Sequence, residues 1–322
     1  MRPEAERIRE LVEAHPRVLV VSHKDADGDT LGSALAMAEV LKLMGRVTQV
    51  RVPLPVPEMY RFLPGFGEVN QPGQPAPDLV MAMDASNLDR LAEVLDGIPE
   101  TVVVVNIDHH VSNSLFGAVN LVVPEASSTA EVTYNLIGDW RIPITPSIAT
   151  NLYVGLLTDT GGFRHENTTH DALAIAADLV GLGADPADIA TRVYKSRRIS
   201  TMKLQALSMA TVAFECDDRL VHAYVSQEHF ARAGASMEES EGLIDTLNSV
   251  DGLELALLFK EIAPGQTKIS VRSRGAANAN ELAAVFNGGG HERAAGAEIA
   301  MPLQEAMTAV LAEARRMLSR SA

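Results

Sequence analysis

Residues 17–45 constrain the fold of this chain more than any other segment. The run RVLVV, 17–21, is short, apolar and β-branched, as a buried strand is. The polar stretch SHKDADGDTLGS, 22–33, follows without a break. ALAMAEVLKLMG, 34–45, then carries apolar residues at helical spacing and stops at Gly45, a helix terminator. The polar stretch therefore lies at the carboxyl end of a strand and opens a helix, the edge at which open α/β sheets bind ligands. It brings His23, Asp25, Asp27 and Asp29 into one turn. Carboxylates this close repel one another unless a cation lies among them. One imidazole with several carboxylates is a ligand set for Mn²⁺ or a similar divalent ion. Gly28 permits a tight turn between two of these ligands, and Gly32-Ser33 lets the helix lie close to the strand. A solvated acidic loop with an Asp N-cap is the alternative reading of the same residues.

The N-terminal half repeats this grammar. Strands are predicted at 17–22, 46–55, 78–84, 101–108 and 118–123. Helices are predicted at 3–14, 29–44, 128–140, 169–182 and 186–194, and 146–163 begins as a helix and ends in a Gly-rich turn. A short helix with a Gly/Pro turn occupies 56–69, and 71–77 is a loop. The alternation implies a mostly parallel sheet through about residue 160. Asp84 ends one strand, and Asp108-His109-His110 end another. Asp159, between Thr158 and Thr160, closes a helix before Gly161-Gly162. Each of these has a plain explanation as a turn former or a loop cap. Taken together at one sheet edge, they make a two-metal ligand set.

Composition bounds the partners. A length of 322 residues suits two domains, each large enough to bury a core. With 47% hydrophobic and 21% charged residues, the chain has the make-up of a soluble globular protein. No apolar run reaches membrane-spanning length, and the N-terminus has no signal-peptide core, so no membrane is expected. The single Cys216 rules out an internal disulfide and fits a reducing cytoplasm. A net charge of −15 is the opposite of the basic surface that grips long nucleic acid. A nucleic-acid substrate should be short and held by a few local cations.

In the C-terminal half, 197–212 reads as a helix connecting two domains. Strands follow at 219–226, 254–262 and 267–273, with helices at about 238–249, 279–286 and 303–319. Arg272-Ser273-Arg274 follows a strand, and two arginines can grip a phosphate through paired N–H donors. The loop 287–291 contains Gly288, Gly289 and Gly290 before His291, and such a run lets backbone N–H groups approach an anion. For this stretch alone, an ordinary loop with solvated arginines explains the residues as well. His165 and His170 flank a helix start at Thr168-Thr169; His15, His222 and His229 read as surface or internally satisfied residues.

These residues carry a resemblance. Asp108-His109-His110 after a β-branched strand, with His23, Asp27 and Asp29 upstream, resembles the RecJ-related DHH phosphoesterase superfamily. Residues 270–299, with their Gly-Gly-Gly-His loop, resemble its DHHA1 domain. A compact two-domain chain of this kind is similar to the NrnA-like nanoRNase/pAp phosphatase group. The resemblance implies an α/β architecture: a DHH catalytic domain at 1–194, a linker helix at 195–213, a smaller substrate-binding DHHA1 domain at 214–322 and a cleft between the domains. It implies that His23, Asp27 and Asp84 hold one Mn²⁺, with Mg²⁺ or Co²⁺ as substitutes. Asp29, Asp84, His109 and Asp159 would hold a second, so that Asp84 bridges. His110 would face the substrate and Asp108 would orient the histidines. Arg272, Ser273, Arg274, Gly288, Gly289, Gly290 and His291 would bind substrate. The implied activity is hydrolysis of short oligonucleotides to mononucleotides and removal of phosphate from 3′-phosphoadenosine 5′-phosphate (pAp). A phosphodiesterase of cyclic dinucleotides or of linear pApA and pGpG is the alternative within the enzyme class. A non-catalytic nucleotide sensor is the alternative outside it. The oligomeric state is open, a homodimer included. The chain differs from many relatives at Ala26, where proline is frequent, and at Gly162, where arginine is frequent.

Overall fold

In the computed structural model, which describes residues 2–73, 75–195, 198–240 and 242–320, the apolar runs of the N-terminal half form a parallel sheet. The elements in order are α1 (Pro3–Ala14), β1 (Arg17–Ser22), α2 (Gly28–Leu43), β2 (Val47–Arg51), β3 (Leu79–Met83), β4 (Val103–Asp108), β5 (Val119–Val122), α3 (Thr129–Trp140), α4 (Pro146–Asp159), α5 (His170–Gly181) and α6 (Pro186–Tyr194). The strand order is β2-β1-β3-β4-β5, and every pair is parallel. This is a doubly wound order whose switch point lies between β1 and β3. A sheet covered on both faces needs near-continuous apolar strands. Val18, Val20, Leu79, Met81 and Met83 face one core with Ile8, Leu31, Ile137 and Leu152, residues of α1 to α4. Leu19, Val21, Val80 and Ala82 face the other, closed by Leu91 and Val94. The latter cover comes from 3-10 turns at Leu88–Arg90 and Ala92–Leu95, which apolar spacing does not announce. The predicted helix within 56–69 is two 3-10 turns, Glu58–Tyr60 and Phe66–Glu68.

Helices α2 and α4 cross closely because two glycines leave room. A Cβ on Gly32 would stand 2.3 Å from the Asn151 carbonyl oxygen, and one on Gly155 would stand 2.7 Å from Asp29 Oδ1. Neither distance is tolerable for a side chain, so the crossing requires hydrogen at both positions.

The chain divides into two compact units, Met1–Ser196 and Arg197–Ala322. The second contains α7 (Ile199–Met209), β6 (Ala213–Glu215), β7 (Leu220–Val225), α8 (Gln227–Ala233), α9 (Leu243–Leu247), β8 (Leu255–Ala263), β9 (Gln266–Ser273), α10 (Ala279–Val285), β10 (Gly289–Gly290), β11 (Ala294–Ile299) and α11 (Leu303–Arg320). Its mixed sheet runs β10-β11-β9-β8-β7-β6, antiparallel except between β7 and β8. Alternate residues serve opposite faces, as the pleat requires. Leu255, Leu257 and Phe259 pack with α10 and α11, while Ala256 and Leu258 pack with α7, α8 and α9. Helix α7, from the segment read as a connector, buries Leu204 in this second unit; Ser196 and Arg197 lie outside the described residues. The helix expected over 238–249 is a 3-10 turn, Glu238–Ser240, followed by the five-residue α9. Gly242, at φ +79°, separates them, and Glu241 lies outside the described residues. Among the described residues no helix is long and apolar enough to cross a membrane.

Candidate functional site

The carboxyl ends of β1, β3 and β4 are neighbours in the sheet, and the polar residues that follow them converge. His23 and Asp27 follow β1, Asp29 stands in the first turn of α2, Asp84 follows β3, Asp108 ends β4, and His109 and His110 come next. Asp159 joins them from the end of α4. Three groups have ligand atoms within 4.8 Å of one another: His23, Asp27 and Asp84; Asp84, His109 and His110; Asp29, His109 and Asp159. Asp84 and His109 each belong to two groups. Asp25, at φ +58°, is exposed and belongs to none of them.

The side chains of His23, Asp27, Asp29, Asp84 and His109 are held by hydrogen bonds to the protein. Asp84 is buried and held at φ +59°, a left-handed conformation that aspartate tolerates at a cost of order 1–3 kcal/mol. Thr129 Oγ1 donates to its Oδ1 at 2.9 Å, and Thr30 Oγ1 donates to its Oδ2 at 2.8 Å. Thr30 Oγ1 also lies 2.7 Å from His23 Nε2 and 2.9 Å from Asp27 Oδ1. Asp27 caps α2, accepting from Thr30 N at 2.9 Å, so the capping and ligand readings of this residue are compatible. Asp29 accepts from the backbone N–H groups of Thr129 and Ala130 at 2.7 and 2.8 Å, at the N-terminus of α3. The positive end of that helix suits a carboxylate, and each oxygen retains a lone pair for a cation. His109 Nδ1 lies 3.2 Å from the Ala126 carbonyl, which turns Nε2 toward Asp159 at 3.4 Å.

His110 has a different setting. Its Nδ1 lies 2.7 Å from Asp108 Oδ1, while Asn113 donates to Asp108 Oδ2 at 2.6 Å and to Asn106 Oδ1 at 2.7 Å. Asp108 is fully buried and so serves as an anchor. Its hydrogen bond and charge raise the proton affinity of His110 despite burial. Burial would raise Asp108, but His110 and Asn113 outweigh it and hold the carboxyl below its usual range.

The electrostatics favour added positive charge. Burial and the charges of Asp84, Asp159 and Asp27 push Asp29 well above the ordinary carboxyl range. Burial, with Asp84 and Asp27, likewise pushes Asp159 up to about 6, against the pull of His109 and His110. Burial opposes ionisation of Asp84 too, but the bond and charge of His23 and the charges of His110 and His109 prevail and lower it. His23 is raised for the reciprocal reason, Asp84 outweighing burial. Carboxylates that repel and imidazoles that lean on them make an oxygen-and-nitrogen donor set that fits divalent cations.

In the second unit the candidate substrate residues are close in sequence and mostly open. Arg272, on β9, donates from Nε to Asp245 Oδ1 at 3.2 Å. Arg274 donates to the carbonyls of Asn248 and Val250. Ser273 is buried; its hydroxyl donates to the Glu292 carbonyl at 2.8 Å and accepts from Ala279 N at 3.2 Å, a fastening role. Gly288 is needed for close approach, since a Cβ would stand 2.2 Å from the Gly296 oxygen. Gly289 and Gly290 pair with β11 and are exposed, and His291 stands where the hairpin turns, its N–H donating to the Ala294 carbonyl at 2.7 Å.

Thr30, Thr129 and Asn113 hold candidate site residues, and the spacing argument passed over them. Their signal was position: Thr30 directly follows Asp29, Thr129 opens α3, and Asn113 follows the histidine pair closely. Of the other histidines, His165 Nδ1 reaches the Asp159 carbonyl at 3.3 Å, and His170 pairs with its exposed neighbour Asp171.

Comparison with known proteins follows these two units. Residues 17–156 match the DHH family, N-terminal domain, and residues 217–320 match the DHHA1 domain. The chain is 34% identical to the bifunctional oligoribonuclease and PAP phosphatase NrnA of Thermus thermophilus, covering 94% of this chain and 91% of that one. It is 26% identical to the protein of the same name from Bacillus subtilis, covering 89% and 91%. Among solved structures, an exopolyphosphatase-related protein from Bacteroides fragilis matches with a TM-score of 0.89 and 27% identity, covering 97% of this chain and 95% of that one.

Proposed function

This chain belongs to the DHH family and carries a DHHA1 domain, and from that premise we propose that it is a Mn²⁺-dependent phosphoesterase of short oligoribonucleotides and pAp. The observation that carries the reading is the convergence of His23, Asp27, Asp29, Asp84, His109 and Asp159 at one sheet edge. Likeness over nearly the whole chain to a protein named for both activities supports the choice of substrates. A net charge of −15 supports short substrates over long ones. The single cysteine accords with work in a reducing cytoplasm.

His23, Asp27 and Asp84 would hold one cation, and Asp29, Asp84, His109 and Asp159 a second. Bound there, the pair would polarise the phosphoryl oxygens and supply a nucleophilic water near neutral pH. The chain's own residues do the rest. Thr30 and Thr129 fix both oxygens of Asp84, so the shared ligand does not swing. Asp108 and Asn113 hold His110 by Nδ1, leaving Nε2 to hold or deliver a proton beside the reacting group. Arg272, Arg274, His291 and the glycine hairpin would grip a terminal phosphate by charge-assisted and backbone donors.

A product time course under Mn²⁺ on pAp, a dinucleotide, a longer RNA and a cyclic dinucleotide tests this. The expected result is mononucleotide from the dinucleotide and AMP from pAp, with slower attack on the longer RNA. Turnover of the cyclic dinucleotide alone would select the rival phosphodiesterase. Binding of nucleotides without turnover would make the protein a sensor.

A further inference from the structure

Arg90 closes the 3-10 turn Leu88–Arg90 that follows Asp84. Its backbone is fastened on both sides. The carbonyl accepts from Lys24 N at 2.9 Å, and the N–H donates to Asn87 Oδ1 at 3.2 Å. The guanidinium Nη2 lies 2.9 Å from His23 Nδ1. That same ring nitrogen lies 2.5 Å from the Lys24 carbonyl oxygen. One imidazole nitrogen either donates or accepts, and a carbonyl and a guanidinium ask opposite things of it. If His23 offers Nε2 as a ligand, Nδ1 carries the proton and serves the carbonyl. Nη2 of Arg90 then faces no acceptor on His23. Nε of Arg90 is already buried with no hydrogen-bond partner.

Nε and Nη2 are the edge of a guanidinium that grips a two-oxygen anion. Elsewhere in this chain the same edge of Arg17 holds Asp78, and that of Arg315 holds Glu215. At Arg90 the edge meets an imidazole instead, and Asp84 pairs with His23, His109 and His110. A permanent cation with unmet donors, beside ligands that gather further cations, calls for an anion to complete it.

We infer that Arg90 is a phosphoryl-binding residue, its guanidinium donating to the oxygens of the substrate's phosphate beside Asp84. The inference rests on the phosphoesterase reading above and adds to it a cationic grip within the N-terminal unit itself. It excludes a purely positioning role, in which Arg90 does no more than steady His23.

The test separates the two roles by equilibrium binding. Mn²⁺ is titrated calorimetrically into the wild type, Arg90→Ala and Arg90→Lys, and AMP is then titrated into each protein at saturating Mn²⁺. Mn²⁺ affinity should stay close to that of the wild type. AMP should bind about ten- to a hundredfold more weakly to Arg90→Ala, the loss expected for a charge-assisted contact. Arg90→Lys, which keeps the charge but not the fork, should lose less, and it decides the matter alone if Arg90→Ala does not fold. Unchanged AMP affinity in the folded variants overturns the inference, whether or not Mn²⁺ affinity falls. If these variants match a wild type that turns over pAp, the inference alone fails. A wild type that neither binds AMP nor hydrolyses pAp removes the phosphoesterase reading and the inference together.

Discussion

Asp84 and Arg272 are both polar residues at strand ends, yet they are held in opposite ways. Asp84 is 2% exposed, with a threonine hydroxyl on each oxygen and three imidazoles within 4 Å. Arg272 has a side chain 30% exposed, and its acidic partner Asp245 is 63% exposed. The first arrangement fixes an atom in a low-dielectric setting, where charge interactions are strong and misplacement is costly. The second leaves a charge that can exchange one anion for another at small cost. The difference is the ground for proposing chemistry in the first unit and recognition in the second.

The comparison is most easily broken at Asp84. Asp84→Ala should reduce turnover by about a thousandfold or more on every substrate, since both proposed ions lose their shared ligand. Circular dichroism should show the fold retained, and metal analysis should show occupancy lost. Full occupancy with normal turnover would end the two-metal assignment.

Arg272→Ala should cost less and discriminate. A lost charge-assisted contact is worth roughly 1.5–3 kcal/mol, or about ten- to a hundredfold in kcat/KM on pAp or a dinucleotide. Hydrolysis of bis-p-nitrophenyl phosphate, which offers little for the second unit to grip, should be far less affected. His291→Ala should behave alike, whereas Asp159→Ala should suppress both substrates. Equal losses on both substrates for Arg272→Ala would place the second unit in the chemistry itself.

The buried cluster should also betray itself in stability. In divalent-ion-free buffer, Asp159 keeps its proton to about pH 6 when folded, whereas an unfolded aspartate loses it near 4. Between those values the native state binds more protons, so stability falls as pH rises through the window. The contribution is on the order of 2 kcal/mol and should vanish in Asp159→Asn, as followed by denaturant unfolding at pH 4.5 and 6.5. An equal slope in both proteins would show that Asp159 is not repelled by its neighbours.

The smallest effect sharpens the second half of the comparison. Asp245→Asn frees Arg272 from an exposed ion pair worth about 0–1 kcal/mol. KM for pAp should therefore fall, by about fivefold at most, with kcat unchanged. A rise in KM would mean that Asp245 positions Arg272 for its ligand and does not compete with it.

The strand ends were legible because the periodicity of a parallel sheet and the polarity of its edge reside in neighbouring residues. RVLVV followed by SHKDADGD states both at once. The helix over 238–249 was misread because Gly242 looks tolerable in an apolar pattern, and only its left-handed φ ends the turn. Strand β6 and helix α8 are too short for periodicity to register. Ser273 was placed among the substrate residues by the family resemblance, and its hydroxyl bonds inside the fold to Glu292 and Ala279. Arg90 was invisible for a different reason. Nothing in sequence says that a turn residue beyond Asp84 reaches back to His23.

The crossing of α2 and α4 has a consequence for how this centre can change. Asp29 opens one helix and Asp159 closes the other, and Gly155 lies directly against the Asp29 carboxylate. The span between these two carboxylates is thus gauged by main chain resting on main chain, a caliper with no adjustable jaw. A one-carbon swelling at Gly32 would open that caliper through the main chain, and one at Gly155 would press on the Asp29 carboxylate itself. A centre built this way is retuned for another ion by exchanging ligands, because its dimensions are locked into the scaffold.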